Sequence, residues 1–414
     1  MGDVAMPWPV REFSDPITGV RVLQLTEGPE PSAHQYFTRP SWAANGRYLI
    51  FCRRRNWHRN LYGASVDGSV AQLTFYEGGL AEPRRLVDHM HRRYFSWEMI
   101  SGVGGAVIHP TLPVMAYGYG HEVHLLDLDG KTDEVIYRFH SNEGDPPHCN
   151  IGPTGFTADG RDLILCSTRP MGHNEPRIDA ADQTYSYALR DESRFVSKLW
   201  RYDLENRSMT GVFFQSNGEN SHSLTCPWDP DLVLWVNYLH NCLYAINRDG
   251  TGLRRYLHDP LCLPGHYNWD TANHRLTTLI SLPGQNWRTY LASLDLRQGK
   301  LKSFPETTQE GGQYHQNASP DGRWVVLDAP HIRIGHGNGL HVLDQETGSL
   351  HPLCELNCSW GATDNNGTPV KSEFLHPNPS WSPDGRYVIA RSDYGGGVES
   401  VQIFLIDMLT WDPK

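Results

Sequence analysis

A chain of 414 residues that is 39% hydrophobic and 20% charged can bury a substantial core, and is neither disordered nor collagen-like. Its formal net charge of -11 argues against a nucleic-acid partner, and no apolar run reaches the roughly 18 residues of a membrane-spanning helix. Thirteen Trp, 19 Tyr and 21 His are high counts, suited to strand-rich folds and to sugar-facing surfaces.

The first residues, MGDVAMPWPVREFSDP, show no basic start followed by an apolar stretch and do not read as a signal peptide. The expectation is a cytoplasmic protein, or a secreted or periplasmic one if a leader has been removed. The eight cysteines are scattered, with only Cys354 and Cys358 close together and no CxxC pair, so they read as reduced, small buried hydrophobes.

In chain order, VRVLQLT (20–26) reads as a lone strand, and seven strand–turn–strand units follow. SWAANGRYLIF (41–51) leads to LYGASVDGSVAQLT (61–74), and GAVIHPTLPVMAYGY (105–119) to HEVHLLDLDG (121–130). GFTADGRDLILC (155–166) leads to KLWRYDLEN (198–206), and LTCPWDPDLVLWV (224–236) to CLYAINRDGTGLRRY (242–256). YNWDTANHRLTTLI (267–280) leads to RTYLASLDLRQGKLKSF (288–304), and NASPDGRWVVLDA (317–329) to GLHVLDQETGSLHPL (339–353). PSWSPDGRYVIARS (379–392) leads to VQIFLIDM (401–408). Each unit turns on Asp-Gly, Asn-Gly or a proline, and the flanking strands, Arg-Trp-Val-Val-Leu-Asp (323–328) among them, alternate as if half-buried. This predicts an all-β, seven-bladed β-propeller, a single domain over 1–414. The strand at 20–26 would close the ring against the last blade. The best helix candidates are insertions near 81–100 and 177–196.

In a propeller the first strand of each blade lines the channel, and its leading end points into one mouth. Histidines fall there in six units: His34, His148, His222, His266, His315 and His376; the second unit offers Gly104 and Gly105 instead. Any one of them is as readily a structural hydrogen-bonder. Six converging on one ring imply a metal site, a proton-transfer site or both, because imidazole is the commonest metal ligand and the usual base near neutral pH.

The stretches AHQYFTRPSWAANGRYLIF (33–51), GHYNW (265–269), YHQNASPDGRW (314–324) and FLHPNPSWSPDGRYVIARSD (374–393) resemble the oligogalacturonate lyases. The resemblance covers essentially the whole chain, although Ser-Pro-Asp-Gly turns alone would fit other propellers, TolB-like and peptidase ones included. It implies a seven-bladed propeller that cleaves short pectin fragments by β-elimination, with manganese in the channel mouth. It further implies that His266, in its Gly-His-x-x-Trp setting, is the base and that His315 is a metal ligand. The family's Gln-x-x-His-Pro-His-Pro stretch reads here as Glu373-Phe-Leu-His376-Pro-Asn378-Pro. His376 matches, while Glu373 and Asn378 replace a glutamine and a histidine. The implied metal set is therefore His315, His376, Glu373 and Asn378, a harder site that admits Mn2+ or Ca2+. Without a metal, Asn378 would contact sugar directly. The family's substrate arginine aligns near Cys242, where this chain has none.

The partner expected from this reading is an acidic oligosaccharide. Abstracting the C5 proton of a uronate builds charge beside an existing carboxylate, so the site needs a cation and a neutral base. His148 and His222 stand beside His266 as catalytic candidates. His34, Arg59, Arg169, Arg333 and Tyr394 are the substrate-binding candidates, with Arg53, Arg54, Arg55, Arg288 and Arg391 as further arginines. Trp57 and Trp287 could stack on sugar, and DHMHRRYFSWEM (88–99) could roof the channel. No GxSxG elbow, phosphate loop or dinucleotide fingerprint is present. Two rival readings are a non-catalytic sugar- or protein-binding propeller and a propeller glycoside hydrolase using Glu373, Asp145 or Asp270.

Overall fold

The computed structural model describes residues 10–43, 46–55, 58–65, 69–76, 103–119, 122–130, 132–139, 149–170, 195–215, 221–237, 242–258, 266–281, 288–310, 315–334, 337–359, 376–394 and 400–413. Within these bounds the chain is all-β, a seven-bladed β-propeller. The blades span 32–72, 103–138, 149–215, 221–258, 267–310, 316–354 and 380–407, each an antiparallel sheet. The insertion at 81–100 lies outside the described residues, as does 177–194; residues 195 and 196 already belong to the strand Phe195–Asp203. Among the described residues no helix is long and apolar enough to cross a membrane.

The recurring turn has one hydrogen-bond pattern. In blade six Ser319 Oγ donates to Asp321 Oδ1 at 2.5 Å and accepts from Trp324 N at 2.9 Å, while Arg323 N donates to Asp321 Oδ1 at 3.1 Å. Ser382 and Asp384 repeat this in blade seven, and Thr157 and Asp159 in blade three. The glycine of each turn, Gly322, Gly385 or Gly160, has φ of 72°, 72° or 69°, the left-handed backbone that glycine adopts without a steric penalty.

Contacts divide the chain into two compact units, one holding blades one, five, six and seven, the other holding blades two, three and four. In the first unit Val325 and Leu327 of blade six pack with Leu279, Leu291 and Phe304 of blade five. Their neighbour Val326 points the other way, to Val388, Ala390, Phe404 and Ile406 of blade seven. Ile389, Ile403 and Leu405 of blade seven in turn meet Leu49 and Phe51 of blade one. Successive side chains on a strand face opposite ways, so stacked blades bury both faces. This corrects the half-buried reading of Arg-Trp-Val-Val-Leu-Asp: Val325, Val326 and Leu327 are all 0% exposed. In the second unit, Leu163 and Leu165 pack with Val107 and Ala116 of blade two, and Ile164 with Val233 and Trp235 of blade four.

The N-terminal segment joins the last blade. Arg21–Gln24 pairs antiparallel with Gln402–Asp407, and Arg11–Ser14 adds a further strand outside it that the sequence pattern did not signal. Val22 lies opposite Ile406 and is fully buried, whereas Ser14 on the outermost strand is exposed. Val22→Asp should cost several kcal/mol through an unpaired buried charge, and Ser14→Asp no more than about 0.5 kcal/mol. Urea denaturation of the two variants checks the difference.

Candidate active site

The leading ends of blades five, six and seven carry three of the expected histidines. At each, a backbone carbonyl accepts from the blade's second strand: His266 O from Leu279 N at 3.0 Å, His315 O from Asp328 N at 3.1 Å and Pro377 O from Arg391 N at 3.1 Å. Repeating this pairing in adjacent blades brings the imidazoles together. The rings of His266 and His315 stack, with centroids 4.5 Å apart and planes 28° apart, and those of His315 and His376 lie 4.8 Å apart. Phe37 and Tyr36, just after the first strand of blade one, pack edgewise or tilted on His266 and His315, with centroids 4.9 to 6.3 Å away.

His315 is held on two sides. Its backbone N donates to Asp328 Oδ1 at 2.5 Å, and its Nδ1 lies 2.9 Å from Asp328 Oδ2. Its Nε2 then faces His376 Nδ1 at 3.4 Å. Asn378 N donates to the same Asp328 Oδ2 at 3.0 Å, and the Asn378 carbonyl accepts from His34 Nε2 at 2.7 Å. Asn378 has φ of 48°, a left-handed backbone that asparagine tolerates better than most residues. That bend lets one residue serve Asp328 and His34 together. Arg391, 6% exposed, donates from Nε to the His376 carbonyl at 2.8 Å.

Burial sets the electrostatics. His34 is held down to about 3 by burial and then by the charge of Arg391, against the Asn378 carbonyl. Burial and Arg391 push His315 well below its ordinary value, and burial does the same to His376, with His315, Arg391 and His266 adding to it. These three imidazoles are therefore neutral at pH 7. Burial drives the Asp328 carboxyl upward against the N–H groups of His315 and Asn378 and the charge of Arg391.

Among the described residues no group of three or more His, Cys, Asp or Glu is placed to hold a metal. The pair His315 Nε2 and His376 Nδ1, 3.4 Å apart, is nevertheless close enough for both nitrogens to ligate one cation. Asn378 Oδ1 is buried with no hydrogen-bond partner among the described residues, as is His34 Nδ1.

Several other expected residues are not described, or only their backbone is. His148 and Glu373 lie outside the described residues, as do Trp57, Trp287, Asp145 and the segment 88–99. His222, Arg59, Arg169 and Arg333 lie in the strands Ser221–Thr225, His58–Ser65, Asp162–Pro170 and Trp324–Ile334, and their side chains are outside the description. Tyr394 packs on Phe404 and Phe13 in blade seven and makes no ring contact with the histidine cluster. Arg53 donates to the Glu27 carbonyl at 2.9 Å and lies 3.8 Å from Glu30. Asp270, fully buried, accepts from Asn273 and Gln345 at 2.9 Å, a turn-holding role that removes it as a glycosidase carboxylate. The sequence reading missed Asp328, Tyr36 and Phe37. The signal for Asp328 was an acidic residue ending the apolar run Val-Val-Leu, 13 positions after His315.

A separate cavity of about 550 Å³ in the second unit is lined by Arg201, Arg248, Asp162 and Asp203 among others. Arg201 and Arg248 each lie 2.9 Å from Asp162, so both guanidiniums are already paired.

No protein-family model matches the chain. It is similar to the oligogalacturonate lyase of Dickeya dadantii, 23% identical over 218 residues, covering 48% of this chain and 53% of the relative. It is equally similar to the oligogalacturonide lyase of Pectobacterium atrosepticum, 23% identical over 224 residues with the same coverage. The chain thus spans about half the length of the curated relatives it matches. Among solved structures, an oligogalacturonate lyase from Vibrio parahaemolyticus superposes with a TM-score of 0.72 at 18% identity, covering 99% of both chains. An oligogalacturonate lyase in complex with manganese gives 0.72 at 19% identity, covering 97% of this chain and 96% of that one. The acylaminoacyl peptidase of Pyrococcus horikoshii gives 0.55 at 10% identity, covering 96% of this chain and 53% of that one. The resemblance read from the sequence is borne out.

Buried neutral histidines make stability depend on pH. His341 of blade six, 3% exposed, is lowered by burial to about 4, as His34 is to about 3. Below about 6.5 the unfolded chain binds protons that these folded side chains refuse, so their contribution is intact above that pH and lost as pH falls through 6.5 toward 4. Each should cost about 2 kcal/mol between pH 6.5 and 5. Urea unfolding at pH 7.5 and pH 5 checks the loss, and His341→Gln should flatten part of it.

Proposed function

We propose that this oligogalacturonate-lyase-like propeller is itself a lyase, cleaving a uronic-acid-containing oligosaccharide by β-elimination at the cluster of His266, His315 and His376. The observation that carries the reading is the cluster: neighbouring blades deliver one imidazole after another to a single buried spot, with Arg391 beside them. The curated relatives and the structural neighbours named as lyases support it.

In this reading His266 takes the C5 proton of the uronate. The electron pair of the broken C–H bond forms a C4=C5 double bond, the C4–O bond breaks, and the leaving glycosidic oxygen keeps that bond's electron pair and takes a proton from water. Tyr36 and Phe37 wall the imidazoles on one side. His315 Nε2 and His376 Nδ1 would hold a divalent cation, Mn2+ or Ca2+, with Glu373 a further donor and Asn378 Oδ1 within the same segment. Such a cation, bound to the uronate carboxylate, would disperse the charge that builds as the proton leaves. Arg391 adds a fixed positive charge to the cluster. A site with Glu373 and Asn378 where the family has glutamine and histidine suits glucuronate or a decorated uronate as readily as galacturonate.

The test is the rise in ultraviolet absorbance of the conjugated unsaturated uronate when the protein meets a panel of acidic oligosaccharides. Wild type should generate it, and His266→Ala should lose at least about 100-fold in rate while remaining folded. New reducing ends without that chromophore would make the protein a glycoside hydrolase. Sugar binding without turnover would make it a non-catalytic propeller. Near-normal elimination by His266→Ala would remove His266 as the base.

A further inference from the structure

Asp328 has no part in the elimination as written, yet its carboxyl is one of the most committed polar groups in the molecule. It is 1% exposed and takes three donors: the backbone N and ring Nδ1 of His315, and the backbone N of Asn378. It therefore joins blade six to the segment leading into blade seven. The line of contacts continues at both ends. The Asn378 carbonyl reaches His34 in blade one, and His315 Nε2 reaches His376 Nδ1.

We propose that Asp328 is the positioning residue of this site, fixing the His315 ring so that Nε2 is the nitrogen offered, beside His376 Nδ1, to a divalent cation. The inference rests on reading the cluster as a lyase site and names a residue that reading does not use. The reasoning is geometric. An imidazole has two nitrogens, and the hydrogen bond at one selects which of them is free to ligate. The second bond, from the His315 backbone to the other carboxyl oxygen, fixes the ring's distance from Asp328. Partners of this kind behind a ligating histidine orient the ring and raise its basicity, and their loss commonly costs 10- to 100-fold in metal affinity. The third bond, to Asn378 N, couples the same carboxyl to the segment that carries His376.

Asp328→Asn keeps the shape and one acceptor but replaces the other oxygen with an NH2 group. With the NH2 at the Oδ2 position, His315 Nδ1 must accept instead of donate, which moves the ring proton to Nε2, the nitrogen that faces His376.

The experiment titrates Mn2+ into the metal-stripped full-length protein and reads free Mn2+ by electron paramagnetic resonance, for wild type and Asp328→Asn, with thermal melts alongside. Positioning predicts a loss of roughly 10- to 100-fold in Mn2+ affinity in the folded variant. A purely structural carboxyl predicts a lower melting temperature with affinity within twofold of wild type, and that result overturns the inference. A wild type that binds no Mn2+ overturns it too, while the unsaturated-uronate assay separately decides whether the protein is a lyase. A second measurement needs no Asp328 variant: 15N-histidine NMR of the wild type with Zn2+, the His315 signals identified by their loss in His315→Gln. A proton on Nδ1 with Nε2 shifted by the metal supports the assignment, and a proton retained on Nε2 overturns it.

Discussion

The hydrogen bonds that Asp328 makes to His315 and Asn378 are the constraint on which the rest of the site depends. Imidazoles taken out of water lose their charge unless something compensates them, and His34, His315 and His376 are all held neutral. Neutral rings in a buried cluster keep their relative orientation only if each is tied to the backbone or to a second polar group. His315 is tied twice by Asp328, and His34 by the Asn378 carbonyl. His376 anchors Arg391 and the Asn378 amide through its own carbonyl. The result is a compact set of lone pairs, suited to a cation or a sugar hydroxyl, beside one guanidinium, which suits an anionic carboxylate.

The fold was largely legible in the sequence because its two determinants are local. Ser-Pro-Asp-Gly and its relatives specify a turn through hydrogen bonds spanning five residues, and alternating apolar side chains specify the strands. The burial of both strand faces was not legible, since Val325, Val326 and Leu327 read alike whether one face or two is covered. Nor was the outer strand Arg11–Ser14, whose exposed residues carry no core pattern.

At the site, the positions of His266, His315 and His376 were readable because each stands a few residues ahead of its blade's first turn. Asp328 was not, because its role comes from the strand pairing that sets residue 328 opposite residue 315, a relation written in register and not in spacing. Arg391 was one arginine among several in the sequence, and pairing of its strand with the His376 segment singles it out. Tyr394, read as a sugar-binding aromatic, packs on Phe404 and Phe13 and stays 44% exposed. Asn378, read as the replacement for a ligand, also performs a backbone task, its left-handed bend linking Asp328 to His34.

The central claim is that imidazoles from neighbouring blades form one cation-holding site with His315 and His376 at its heart. Anomalous scattering from a manganese-soaked crystal tests it most directly. The account predicts a single strong peak in contact with both His315 Nε2 and His376 Nδ1. A peak held by other residues, or none at this pair while manganese is bound elsewhere on the chain, would contradict it.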